Sequence, residues 1–179
     1  MKKLNILIVL FVCCNVLNAQ KYMTQNGVIS FFSSTPVEDI EAINNQVSAV
    51  VNAENGEIAA VLLMKAFNFE KALMQEHFNE KFVESDKFPK SMFKGQILNF
   101  NALDLKKERE VSIKGDLTIH GVTKQVEVVG VVSKNDSTIE LKIEFDVKPE
   151  DYKINIPGPV REKIAKSLEV NVNLIMSEM

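Results

Sequence analysis

The stretch STIELKIEFDV, residues 137–147, places Ile139, Leu141, Ile143, Phe145 and Val147 on one face and Glu140, Lys142, Glu144 and Asp146 on the other. Successive side chains of an extended chain point to opposite sides, so this alternation marks a strand with one buried and one wetted face. The same period recurs in Arg109–Ile119, through Val111, Ile113, Leu117 and Ile119, and in Ser167–Ser177, through Leu168, Val170, Val172 and Leu174. Three strands therefore share one apolar face.

Less regular runs lie outward of these in the sequence. Val28–Ser34, Ile40–Ala53, Glu57–Lys65, Ser91–Phe100 and Thr123–Ser133 read as strands, which brings the number to about eight. Asn55-Gly56 and Gly121, after His120, supply turn chemistry, and short links predict an antiparallel meander. Eight such strands alternate identically whether they pack as a two-sheet sandwich or close into a barrel, so periodicity leaves both open. No repeat or linker divides the chain, and one domain is expected.

One segment departs from period two. In NFEKALMQEHFNEKF, residues 68–82, Phe69, Leu73, Met74, His77, Phe78 and Phe82 recur at three- and four-residue spacing, which predicts an amphipathic helix. Pro89 would end any continuation of it. The run EIAAVLLMK, residues 57–65, is apolar on both faces and calls for cover outside as well as inside. The helix is the nearest candidate, packed on the exterior or plugging one end. Another short helical turn is expected in Val160–Lys166.

The N-terminus has its own character. Lys2 and Lys3 precede an apolar run from Leu4 to Leu17 that ends at Asn18-Ala19-Gln20, the layout of a signal peptide spanning residues 1–19. The run is shorter than the roughly 20 residues a spanning helix needs. Export to the periplasm or beyond the cell is therefore expected, with residues 20–179 as the mature domain. Both cysteines, Cys13 and Cys14, lie in the segment expected to be removed. The mature chain can thus form no disulfide, and its stability must come from packing.

Without Lys2 and Lys3, 19 basic side chains remain against 24 acidic ones, a net charge of −5, and nothing steers the chain to nucleic acid. His77 and His120 are the only histidines, so a structural zinc site of the usual Cys/His kind is excluded and no metal is expected. No nucleophile-elbow pattern accompanies Ser85, Ser91 or Ser112, and no catalytic residues are assigned. Arg161, Lys163 and Lys166 could meet an anionic membrane, but the overall negative charge predicts transient contact at most.

The segment GDLTIHGVTKQVEV, residues 115–128, resembles the signature stretch of the YceI-like family of lipocalin-like, polyisoprenoid-binding bacterial envelope proteins. LMQEHFNEKFVESDKFPKSMFKG, residues 73–95, is similar to that family's helix, loop and following strand, with Phe88-Pro89 at the aromatic-proline position. FDVKPEDYKINIP, residues 145–157, resembles its last hairpin approach, with Asp151-Tyr152 as the acid and aromatic. The likeness spans Val28 to Ile175. It departs at Gly27–Pro36, GVISFFSSTP, where many members carry an aspartate and a His-Ser pair, so the roles of those groups are not transferred.

The resemblance implies a mainly β fold: a single lipocalin-like antiparallel β-barrel of about eight strands with one amphipathic helix packed against it. It further implies an elongated apolar interior for an isoprenoid, quinone or fatty amphiphile, and no cofactor. Phe93, Ile113, Leu117, Leu141, Ile143, Phe145, Val170, Val172 and Leu174 are the expected lining. His120 and Lys124 are candidate head-group contacts, although His120 before Gly121 also suits a turn-fixing hydrogen bond. The expected activity is sequestration or carriage of such a lipid, by a monomer or homodimer, without catalysis. The alternative is a non-catalytic envelope interaction or stress protein with a packed barrel.

Overall fold

The computed structural model describes residues 20–103, 105–135 and 137–179, and the predicted signal peptide, residues 1–19, lies outside the described residues. The elements in chain order are β1 (Lys21–Ser34), β2 (Asp39–Asn52), β3 (Glu57–Leu63), β4 (Asn68–Phe69), α1 (Ala72–His77), β5 (Lys90–Ile97), β6 (Arg109–Ile119), β7 (Val122–Lys134), β8 (Thr138–Val147) and β9 (Leu168–Glu178). Neighbours run β1-β9-β8-β7-β6-β5-β3-β2, and a further β1–β2 pairing closes the ring. All these pairings are antiparallel. Of the two architectures that periodicity allows, the chain adopts the closed eight-stranded barrel. The two-residue β4 adds an edge on β2, with Ala42 opposite Phe69 and Ile43 opposite Asn68.

The alternating strands appear where their patterns place them, and β6 has the expected bounds. β1 begins earlier, at Lys21, and is bent by register shifts between Thr24 and Ile29. Opposite that bend, buried Asn44 donates from Nδ2 to the Leu63 carbonyl at 3.0 Å and accepts from the Gln46 amide at 2.9 Å. A side chain thus satisfies backbone groups that the interrupted ladder leaves free.

The barrel has two unlike ends. At one, here the floor, the inward side chains of Tyr22, Val51, Ile97, Val132, Ile139 and Met176 have no solvent exposure. Phe100 closes over them, 3% exposed, in a short 3-10 turn that follows Asn99. Gly56 makes room for it: with φ at 78°, a Cβ there would sit 2.6 Å from the Cβ of Phe100.

At the other end, the mouth, three segments converge: the β1–β2 turn, the insert between β3 and β5, and the link from β8 to β9. The predicted helix is shorter than its periodicity suggests. Asn68 and Phe69 are drawn into β4, α1 holds only residues 72–77, and a π-helical turn follows over Phe78–Phe82. The Asn79 side chain donates to the Gln75 carbonyl at 2.9 Å, four residues back, and so competes with the α-helical backbone bond. Plugging the mouth, the insert does not cover the outer face of β3, where Leu63 stays 46% exposed and Met92, opposite Val61, 48%. The reason is its anchorage, because Phe78 packs on Phe31, Phe67 and Phe69 at the barrel end. The late helical turn is a 3-10 segment over Gly158–Lys163.

Candidate ligand chamber and its mouth

Alternation along all eight barrel strands turns apolar side chains inward, and in the mouth half they do not fill the barrel completely. A narrow chamber of about 90 Å3 remains, bordered among others by Ile29, Val47, Ile58, Leu62, Val126 and Val128. Phe93, Ile113, Leu117, Ile143, Phe145, Val172 and Leu174 of the expected lining also border it. Leu141 is fully buried, opposite Leu174, in the packed layer beneath, and Val170 lies opposite Phe31 at the chamber's upper limit.

Room at this level depends on a pair of glycines. Gly95 and Gly115 face each other across β5 and β6, and the Phe93 ring lies over both, with Cζ 2.7 and 2.8 Å from where their Cβ atoms would stand. An aromatic ring laid on side-chain-free backbone replaces the packing that glycine lacks and fixes the ring flat against the wall.

Above Phe31 a second, wider chamber of about 340 Å3 occupies the mouth. Phe31 stands between the two, opposite Ala42 on β2 and Val170 on β9. Its ring centroid lies 5.4 Å from Phe67, 5.8 Å from Phe69 and 5.6 Å from Phe78, within the range of favourable aromatic packing. The mouth chamber is mainly apolar, with Phe82, Ile154, Ile156 and Leu168 around it, but Glu38, Lys71, His77 and Lys163 also border it. Lys71 Nζ lies 2.9 Å from Glu38 Oε1 and Lys163 Nζ 3.7 Å from Oε2. The Lys71 hydrogen bond, more than any other influence, holds the Glu38 carboxyl below the usual carboxylate range, and the same pairing raises Lys71. One carboxylate thereby ties all three mouth segments. Ser33 adds to this, accepting a 2.9 Å hydrogen bond from the Ala165 amide while 1% exposed.

His120 and Lys124 lie on the rim, and neither borders the two chambers. His120 and Gly121 both have positive φ, 51° and 71°, as a two-residue hairpin of the I′ kind requires. His120 Nδ1 is 3.1 Å from the Tyr152 carbonyl and Nε2 3.1 Å from Glu84 Oε2, and Phe88 packs edge-on against the ring. Lys124 Nζ donates to Asp151 Oδ1 at 2.5 Å, which keeps the Asp151 carboxyl below its ordinary range. Both candidate head-group contacts thus have intramolecular partners. Glu38 and Lys71, which do border a chamber, carry no periodicity or motif and meet only through convergence of distant loops.

Two of the serines considered for catalysis are engaged elsewhere. The Ser91 hydroxyl donates to the Thr118 carbonyl and that of Ser112 to Glu127. Among the described residues, no three histidine, cysteine, aspartate or glutamate side chains gather to hold a metal ion.

A family model described as the YceI-like domain matches residues 19–176. Solved structures share the fold at low identity. A polyisoprenoid binding domain from Saccharophagus degradans, implicated in plant cell wall breakdown, is 15% identical with a TM-score of 0.76, covering 90% of this chain and 99% of its own. Burkholderia cenocepacia BcnA is 16% identical with a TM-score of 0.71, covering 83% and 95%. A Campylobacter jejuni YceI protein is 16% identical with a TM-score of 0.60, covering 77% and 84%. No curated protein matches the chain.

Proposed function

The chain belongs to the YceI-like domain family, and from that premise we propose that it is an exported binding protein that sequesters or carries an isoprenoid, quinone or fatty amphiphile in its barrel. The observation that carries this reading is the two-tier apolar cavity, closed at the floor and widening at the mouth. The similar fold of a polyisoprenoid binding domain supports the ligand class. The mouth chamber alone reaches the lower end of the roughly 300–1,000 Å3 typical of ligand sites, and the inner chamber extends it downward. Each methylene buried there contributes about 0.8 kcal/mol of transfer free energy, so a short run of isoprene or acyl carbons offsets much of the cost of association. Binding of this kind needs no nucleophile or metal. The apolar run of residues 4–17, after two lysines, supports export as its route to an envelope compartment.

One observation favours the alternative of a packed barrel that acts through its surface, namely that the floor half is filled and the inner chamber is small. Native mass spectrometry with lipid extraction, on protein purified without detergent from its own envelope compartment, separates the two. A stoichiometric co-purifying amphiphile is the expected result. A bare protein mass, unchanged after incubation with quinones, polyprenyl phosphates and fatty acids, would overturn the lipid reading in favour of the packed barrel.

A further inference from the structure

The ring of strands is not sealed along its whole height. β7 runs from Val122 and β8 to Val147, yet their pairing ends at Gly130 opposite Ile143, leaving residues 122–129 and 144–147 without partners across that seam. The flanking pairs hold to the mouth: β6–β7 continues to Ile119 opposite Val122 and β8–β9 to Val147 opposite Leu168. Solvent exposure changes at the same height. Below the break, the inward side chains of Val132, Ile139 and Leu141 have none, whereas above it Val126, Val128 and Phe145, which border the inner chamber, are half-buried. A groove on the outer surface runs over this seam, and Ile143 and Val172 border both that groove and the inner chamber. Gly130, at the last paired position, is buried, and a Cβ there would meet the Lys142 carbonyl at 2.8 Å and Ile143 Cγ1 at 3.1 Å, so the wall is closed up to this height and parts only above it.

We propose that the β7–β8 seam is a lateral portal through which one apolar chain of a single-chain amphiphile passes into the inner chamber. The inference rests on the lipid-binding reading above. A chain crossing here meets Val126 and Val128 on one side and Ile143 and Phe145 on the other. It bypasses Phe31 and the aromatic cluster that separate the mouth from the inner chamber. The seam is spanned at its rim by Lys124 to Asp151 at 2.5 Å and by His120 to the Tyr152 carbonyl at 3.1 Å. These contacts clasp the β6–β7 turn to the link after β8. The ion pair is exposed, with 41% and 46% of its side chains accessible, and such pairs contribute little stability and exchange readily with water. The ion-pair half of the clasp can therefore open without unfolding the ladder beneath it.

The chain from Gln20 has no cysteine, so a Lys124→Cys, Asp151→Cys pair can be bridged selectively by a short bis-methanethiosulfonate reagent and released by dithiothreitol. Uptake of cis-parinaric acid is then followed by stopped-flow fluorescence in the bridged and the released protein. Bridging is expected to slow uptake on the order of tenfold, as constraint of a gating segment does, with release restoring the rate. Asp151→Asn, which loosens the clasp without a crosslink, is expected to speed uptake severalfold relative to the native sequence. Equal rates before and after release, or an unchanged rate in Asp151→Asn, would overturn the portal while leaving the ligand chamber in place. Native protein that takes up no cis-parinaric acid and co-purifies with no lipid would instead remove the lipid-binding reading itself.

Discussion

Glu84 and His120 meet at the mouth with Oε2 of one 3.1 Å from Nε2 of the other, and both hold a left-handed backbone, at φ 44° and 51°. That conformation costs an L-residue about 1–2 kcal/mol, so two such residues joined by a hydrogen bond mark a junction the surrounding structure must enforce. Glu84 belongs to the insert and His120 to the β6–β7 hairpin, and the bond from His120 Nδ1 to the Tyr152 carbonyl brings in the link from β8 to β9.

His120→Asn keeps a residue that tolerates positive φ but withdraws the imidazole from both partners. Stability is expected to fall by about 1–2 kcal/mol, the cost of a largely buried hydrogen-bonding group removed from its partners. Urea denaturation measures it. A change below a few tenths of a kcal/mol would show that the two bonds do not hold the mouth.

Acid should loosen the same region. Glu84 is held below the usual carboxylate range by Lys87 first and then by His120, Glu38 by Lys71, and Asp151 by Lys124. A depressed folded-state pKa means that the stabilisation is complete above the unfolded value, near 4.5 for Glu and 3.8 for Asp, and is lost as pH falls through the folded value. Melting temperature should therefore decline below about pH 4.5 and do so less steeply in a Glu38→Gln, Glu84→Gln double variant. Parallel curves for the two proteins would refute these carboxylates as the cause.

Phe78→Ala removes the ring that packs on Phe31, Phe67 and Phe69. Because Phe78 is only half-buried, a loss of about 2 kcal/mol is expected, below the 3–5 kcal/mol of a fully buried phenylalanine. Hydrogen exchange should rise in residues 68–88 and leave the β6–β7 ladder unchanged. Uniform loss of protection would mean that the insert and barrel unfold as one unit.

Gly95→Ala places a Cβ against the Lys114 carbonyl and 2.8 Å from the Gly115 Cα, where backbone, not a yielding side chain, blocks it. The Phe93 ring must also leave its place. Destabilisation of about 2–3 kcal/mol or failure to fold is expected, the cost of overpacking a wall with no slack. A midpoint within 0.3 M urea of the native one, roughly half a kcal/mol at ordinary m-values, would show that the strands part freely here.

Ala60→Leu directs three further carbons into the inner chamber of about 90 Å3. On the proposed function it should weaken binding of a fatty acid or quinone at least tenfold, about 1.4 kcal/mol, with melting temperature preserved. Titration calorimetry reads this directly. Undiminished affinity would place the bound chain wholly in the mouth chamber.

Three of the strands, β6, β8 and β9, could be read directly in the sequence because a wall with one dry and one wet face imposes period two on each of them, independent of its neighbours, and the five less regular runs were legible from their apolar content and the turn residues between them. A turn at Gly121 was legible for a similar local reason, since positive φ restricts residue choice, and the structure shows it to be of the I′ kind. The apolar lining followed from the same alternation, and seven of its nine residues border the inner chamber because inward positions near mid-barrel converge on one axis. Closure into a barrel was not in the pattern, which a sandwich shares; it came from family likeness and is realised by the β1–β2 pairing between early strands.

Tertiary structure alone decided how far the helix runs, where the barrel is filled and where it parts. The three- and four-residue spacing of Phe69 and Phe78 says that they share a face, but the pairing of Phe69 with Ala42 delays the start of the helix to Ala72. Ile139 and Ile143 are alike in sequence pattern, yet one is sealed in the floor and the other borders the cavity. Local alternation fixes which way a side chain faces. Height along the barrel, strand separation and the meeting of Glu38 with Lys71 and Lys163 depend on contacts between residues far apart in the chain, which only the closed structure brings together.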